Sequence, residues 1–247
     1  MKKRKVNIVT GLLITICCFA NSLKAQDNKS TNQRLSPKEQ CIISISALTA
    51  KGDLSKLKAE LSVGLEAGLT VNQIKENLVH VYAYAGFPRS IRGLQTFITV
   101  LEERRAKGIN DIMGAEASPI NDERTKYDRG KSILDTLLGT PQSGPQTGYS
   151  AFAPIIEIFL KEHLFADIFE RDVLSYTERE LATISVLASI GGVEPMLKSH
   201  LRICLNLGLT AAQLRQFVGV IKASIGKKEA KVVQQVLDEV LKKNTLK

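Results

Sequence analysis

The sequence predicts an all-α fold built from two repeated helical modules. Three observations predict it. No segment alternates apolar and polar residues over the length of a strand. The apolar 44% of the 247 residues is Leu, Ile, Val and Ala with few aromatics and no Trp, a mix read here as helix-forming. The same helix-start and helix-stop signals also occur twice at matching spacing. The chain is long enough for one large or two small domains with a buried core.

The first element is a leader. Lys2, Lys3, Arg4 and Lys5 precede the apolar run Gly11 to Ala20, and Leu23-Lys24-Ala25 stands before Gln26. This is the layout of a cleavable signal peptide over residues 1–25, cut after Ala25, with an uncleaved anchor or lipidation at Cys17 as the alternatives. The run is shorter than the ~20 residues of a membrane span. The expectation is therefore a periplasmic or secreted protein with no stable membrane span after leader removal. Cys17 and Cys18 leave with the leader, so Cys41 and Cys204 remain, as one disulfide or as two free thiols. The five basic residues of the leader also leave, so 29 of the 34 basic residues face 25 acidic ones. That small, evenly spread excess points away from nucleic acid as a partner.

The first module reads over 31–107. Leu35-Ser-Pro-Lys-Glu39 opens a helix with a capping box, Ser36 at the N-cap and Glu39 three residues on, and Pro37 at the first helical position. Leu65-Glu-Ala-Gly-Leu-Thr70 ends one helix at Gly68 and starts the next at Thr70, with Gln73 closing a second box. Both signals return in the second module, over 121–247: Leu174-Ser-Tyr-Thr-Glu178, then Leu205-Asn-Leu-Gly-Leu-Thr210 with Gln213. Leu35–Leu101 aligns with Leu174–Leu241 with one residue inserted in the second copy, which marks a duplication. Between the copies, 122–138 reads as a helix, 140–149 as a Gly- and Pro-containing loop, and a further helix begins at Pro154 and runs to about Phe169. These two extra helices precede only the second module.

Arg179-Glu-Leu-Ala-Thr-Ile-Ser185, Glu194 to His200 and Leu201 to Thr210 resemble the core of the carboxymuconolactone decarboxylase-like family, within the alkylhydroperoxidase D-like superfamily. His80-Val-Tyr-Ala-Tyr-Ala-Gly-Phe-Pro-Arg89 in the first copy resembles it too. Tyr127-Asp-Arg-Gly130 and Arg171-Asp-Val-Leu174 match the family's lead-in. The resemblance covers nearly all of 35–241. It implies an all-helical fold, a homo-oligomer (a trimer of tandem modules) and a small-molecule substrate. The reductase branch uses Glu, Cys-x-x-Cys and His as a relay. Here Glu180 matches the Glu and His200 the His, while Gly191-Gly-Val-Glu-Pro-Met196 stands where the cysteines would be. The reading is therefore an enzyme doing acid–base chemistry on a small organic acid or lactone without a cysteine pair. The alternatives are a peroxiredoxin-type antioxidant using a lone thiol and a non-catalytic helical assembly or binding module.

The candidate catalytic residues are His200, Glu180 and Cys204. A histidine can serve as general acid or base near neutral pH, which makes His200 the first candidate. Glu180, on the preceding helix, would orient it if the two helices pack antiparallel. Cys204 follows His200 by four residues on the same helix face, where an imidazolium would activate a thiol. The structural alternatives are a core histidine, a helix-terminus glutamate and a buried inert cysteine. The substrate-binding candidates are His80, Tyr84 and Arg179, with Arg202 or Arg89 as further carboxylate binders. His80 and Tyr84 share a face, and become Val220 and Ser224 in the second copy. This split suggests a composite site where the His80 face of one module meets the His200 face of another. Cys41 and Glu60 stand at the positions of Glu180 and His200 in the first copy, which reads as degenerate. His163 reads as solvent-facing. Three scattered histidines give no metal-ligand spacing, and no cofactor motif occurs.

Overall fold

The computed structural model describes residues 34–244. The expected signal peptide lies outside the described residues. Ten α-helices and one π-helical segment occur among them, and no strand. The first module contains α1 (Pro37–Lys51), α2 (Leu54–Glu66) and α3 (Val71–Ala106), the last kinked at Gly86. The connecting region holds α4 (Lys126–Leu138), the short α5 (Tyr149–Phe152) and α6 (Pro154–Ile158), which runs into the π segment Phe159–Phe169. The second module contains α7 (Tyr176–Ile190), α8 (Glu194–Asn206), α9 (Ala211–Ser224) and α10 (Lys227–Asn244). Among the described residues no helix is long and apolar enough to cross a membrane.

All four capping boxes form. The side chains of Ser36, Thr70, Ser175 and Thr210 each accept from the backbone N–H three residues on, and each N3 side chain returns to the cap. Each cap satisfies donors that a helix start leaves unpaired, worth about 1 kcal/mol. Gly68 and Gly208 hold φ of 91° and 95°, the left-handed region that a side chain would strain. Leu69 N then reaches Gly64 O and Leu209 N reaches Cys204 O, each at 3.0 Å. The helical corners of the two copies are thus made by the same local chemistry.

The copies pack as interlocked halves. α1 and α7 lie against each other at the centre, α3 packs on α7 across the module boundary, and α9 packs on α1 in return. One core spans both modules, with Ile42, Ile45, Leu57 and Ile74 from the first and Leu181, Ile184, Leu201 and Phe217 from the second. Each such buried side chain contributes roughly 1.5–3 kcal/mol. A second, smaller core joins the connecting helices to the second module through Ile133, Leu137, Phe165, Phe169 and Ile203.

The helix expected after Pro154 is α-helical only to Ile158. Beyond it the hydrogen bonding shifts to the rarer i→i+5 pattern. Here α4 and the π segment make close backbone contact at Gly130. A Cβ at that position would stand 1.8 Å from the carbonyl oxygen of Lys161 and 3.2 Å from Ala166 N. Neither atom can yield without moving its helix. Gly130→Ala is therefore expected to destabilise the protein by roughly 3 kcal/mol, the upper range for overpacking. A urea midpoint within error of wild type would contradict that approach.

Candidate active site

Glu180 lies in the second turn of α7, past the Ser175 cap, and its carboxylate is wholly buried. His200 lies on α8. Its Nδ1 is 2.8 Å from Glu180 Oε2, and 15% of its side chain remains exposed. The acceptor-only carboxylate sets the tautomer: Nδ1 carries the proton and donates it, leaving Nε2 as the basic nitrogen. Helix α8 brings His200 to α7 because Leu197, Leu201 and Cys204 on its inner side are buried.

Tyr84 joins from the first module. Its ring stands at 86° to the His200 ring with centroids 5.9 Å apart. The buried Tyr84 Oη and Glu180 Oε1 have no hydrogen-bond partner among the described residues. Unpaired buried polar atoms cost roughly 1–3 kcal/mol each, and neither of these two presents accessible surface to solvent. Burial, with the Glu180 charge adding to it, pushes the Tyr84 phenol far above its usual range. It stays a donor at any ordinary pH.

His200 and Tyr84 open onto a cleft of about 510 Å³. It is walled by α4 and the π segment on one side and by α8 on the other, with Leu134, Leu138, Leu160, Phe165, Met196 and Ile203 among its lining. That volume and apolar character suit a small organic ligand. A smaller hollow of about 280 Å³ near Lys51, Gly191 and Glu229 includes neither His200 nor Tyr84.

The other sequence candidates lie elsewhere. His80 is fully buried and does not line the cleft. Thr183 donates to Arg179 O at 2.9 Å, so His80 Nε2–H donates to Thr183 Oγ1 at 2.9 Å and Nδ1 faces Arg179 Nη1 at 3.4 Å. His80 thus packs between the modules and is not part of the cleft lining. Burial, then the Arg179 charge and then His200, hold its pKa well below the usual histidine value. The sign follows: below the ordinary histidine value of about 6.5 the unfolded chain binds a proton that the folded chain refuses. Stability is whole above that value and falls as pH drops toward the folded pKa. Thermal melts should show this loss, and His80→Asn should flatten it; an unchanged slope would acquit His80.

Arg179 is a second correction. It is completely buried, with Nη2 2.8 Å from Glu76 Oε1, and Arg171 Nε reaches the same carboxylate at 2.9 Å. It bridges α7 to α3 rather than facing a substrate. Arg89 and Arg202 are exposed and do not line the cleft. Cys204 is buried, free and outside the cleft lining. Burial, and then the Glu180 charge, push its thiol well above the usual range, opposite to the activation that an adjacent imidazolium would give. Cys41 is also buried and free. Burial and the nearby Glu60 carboxylate push it up to about 11. His163 is about half exposed, 3.0 Å from Asp167.

The sequence reading missed two features. Glu76 belongs to a polar stripe at four-residue spacing, Asn72, Glu76, His80 and Tyr84, on the mostly buried first part of α3. That regular spacing was the available signal for a face reaching into another module. Glu157 and Lys161, also four apart, pair at the cleft wall, where Lys161 further contacts Tyr127 Oη at 3.1 Å.

Comparisons with known proteins agree with the repeat. The family model described as "Carboxymuconolactone decarboxylase family" matches residues 20–97 and 157–239. Over 124 residues the chain is 26% identical to a 4-carboxymuconolactone decarboxylase of Acinetobacter baylyi, an alignment covering 50% of this chain and 91% of that protein.

Proposed function

This chain belongs to the carboxymuconolactone decarboxylase family, and on that premise we propose that it is an enzyme doing acid–base chemistry on a small organic acid or lactone at Glu180, His200 and Tyr84. The observation that carries the reading is the 2.8 Å contact of Glu180 with His200 Nδ1, which leaves Nε2 as the base at the end of an apolar cleft. In the proposed step, Nε2 takes a proton from the carbon next to a carbonyl. The C–H electron pair passes to the carbonyl oxygen, giving an enolate. Glu180 stabilises the imidazolium, and the Tyr84 ring flanks it at the cleft. The proton on Nε2 exchanges with solvent, and a proton then returns from Nε2 to the original carbon or to a conjugated one, with no net redox change. The thiol-dependent alternative draws no support from Cys204 or Cys41, both buried and both raised in pKa.

The test is exchange. A β,γ-unsaturated γ-lactone in deuterated water, followed by proton NMR, should lose its α-proton signal and shift its double bond faster with the enzyme than with buffer. Exchange no faster than the buffer control, with folded protein present, would remove the reading.

A further inference from the structure

Building on that acid–base reading, we infer that the cleft takes an uncharged lactone or cyclic ketone carrying an alkyl portion, and not a carboxylate. The inference rests on the charges around the cleft. Among the described residues no Lys or Arg lines it; Glu157 does, paired with Lys161, and Glu180 lies just behind His200. Cations on the neighbouring elements lie outside the lining. Lys161 is held by Glu157 and Tyr127, Arg179 by Glu76, and Arg89 and Arg202 are exposed away from the lining.

A substrate carboxylate entering here would leave water for an apolar wall with no counter-charge. It would also lie close to the Glu180 carboxylate behind His200, a group of its own sign whose repulsion grows as water is excluded. A neutral carbonyl compound meets neither cost. Its ring sits beside His200 and Tyr84, and its alkyl part covers Leu134, Leu138, Phe165 and Ile203. The Acinetobacter relative acts, by its name, on a carboxylated lactone. The lining of the present cleft calls for a different substrate charge.

Calorimetry on the full chain at about pH 8, where an ordinary histidine is neutral, tests this. The probes are γ-octalactone and the same lactone with its chain ending in a carboxylate. The neutral probe should bind at least about tenfold more tightly. Met196→Lys, at a half-exposed wall position, should narrow or invert that ratio by supplying the missing cation. Equal or tighter binding of the carboxylate to the wild type overturns the inference, as does failure of both probes to bind. The exchange assay separates the two proposals. Neutral binding without exchange leaves the charge preference and removes the acid–base reading. Exchange on a carboxylated lactone in preference to the neutral one does the reverse.

Discussion

His200→Ala is expected to lower exchange or turnover by roughly 10²- to 10⁴-fold, the usual worth of a positioned general base, while the protein keeps its fold. The imidazole is the one member of the Glu180–His200 pair that reaches the cleft, and its removal opens space at the edge of a cavity instead of inside the core. Glu180→Gln should fall in the same range by another route. A glutamine can present its amide N–H to Nδ1, which moves the ring proton to Nε2 and removes the base. An analogous reversal of tautomer in a serine protease costs about 10⁴-fold. The stability readout distinguishes catalysis from packing. Glu180 is a fully buried carboxylate with one unpaired oxygen, so neutralising it should leave the melting temperature level or raise it, the pattern of a site kept for activity at a cost in stability. If both substitutions instead lowered melting temperature together and left activity within a few-fold of wild type, the pair would be structural.

The helical corners were readable because they are made within one turn of chain. Ser36, Ser175, Thr70 and Thr210 bond to residues three positions away, so their meaning does not depend on the rest of the molecule. The pairing of Glu180 with His200 was readable at one remove, since the repeat and the family resemblance aligned two adjacent helices. What the sequence could not display was which helix covers which. His80 and Arg179 looked like ligand-binding groups because their partners, Thr183 and Glu76, are 103 residues from each of them in sequence. Cys204 shares a helix face with His200, but that same inward face buries it. The cleft wall was also hidden. It depends on the π segment and on Gly130, where an ordinary-looking lead-in sequence carries a backbone contact visible only in three dimensions.

Glu76→Ala is expected to destabilise the protein by about 3–5 kcal/mol, the cost of removing one partner from a buried ion pair. Arg179 would stay wholly buried, its guanidinium charge losing a carboxylate 2.8 Å away. The damage should also reach the active site, because Glu76 and Tyr84 lie on the same helix, α3, which packs on α7. The repeat itself supplies a control. The position equivalent to Glu76 in the second copy is Gln216, whose Oε1 accepts from Leu35 N at 2.8 Å. The position equivalent to Arg179 is Gln40, which donates to Leu35 O at 2.9 Å. One copy therefore spans the module boundary with charge and the other with neutral amides. Glu76→Gln combined with Arg179→Gln should convert the charged boundary into the neutral kind. The double variant should be more stable than the sum of the two single losses predicts, with a coupling of roughly 1–3 kcal/mol. Additive losses in urea titrations would mean that Glu76 and Arg179 act on separate neighbours. The pair would then not be the lock that holds Tyr84 against His200.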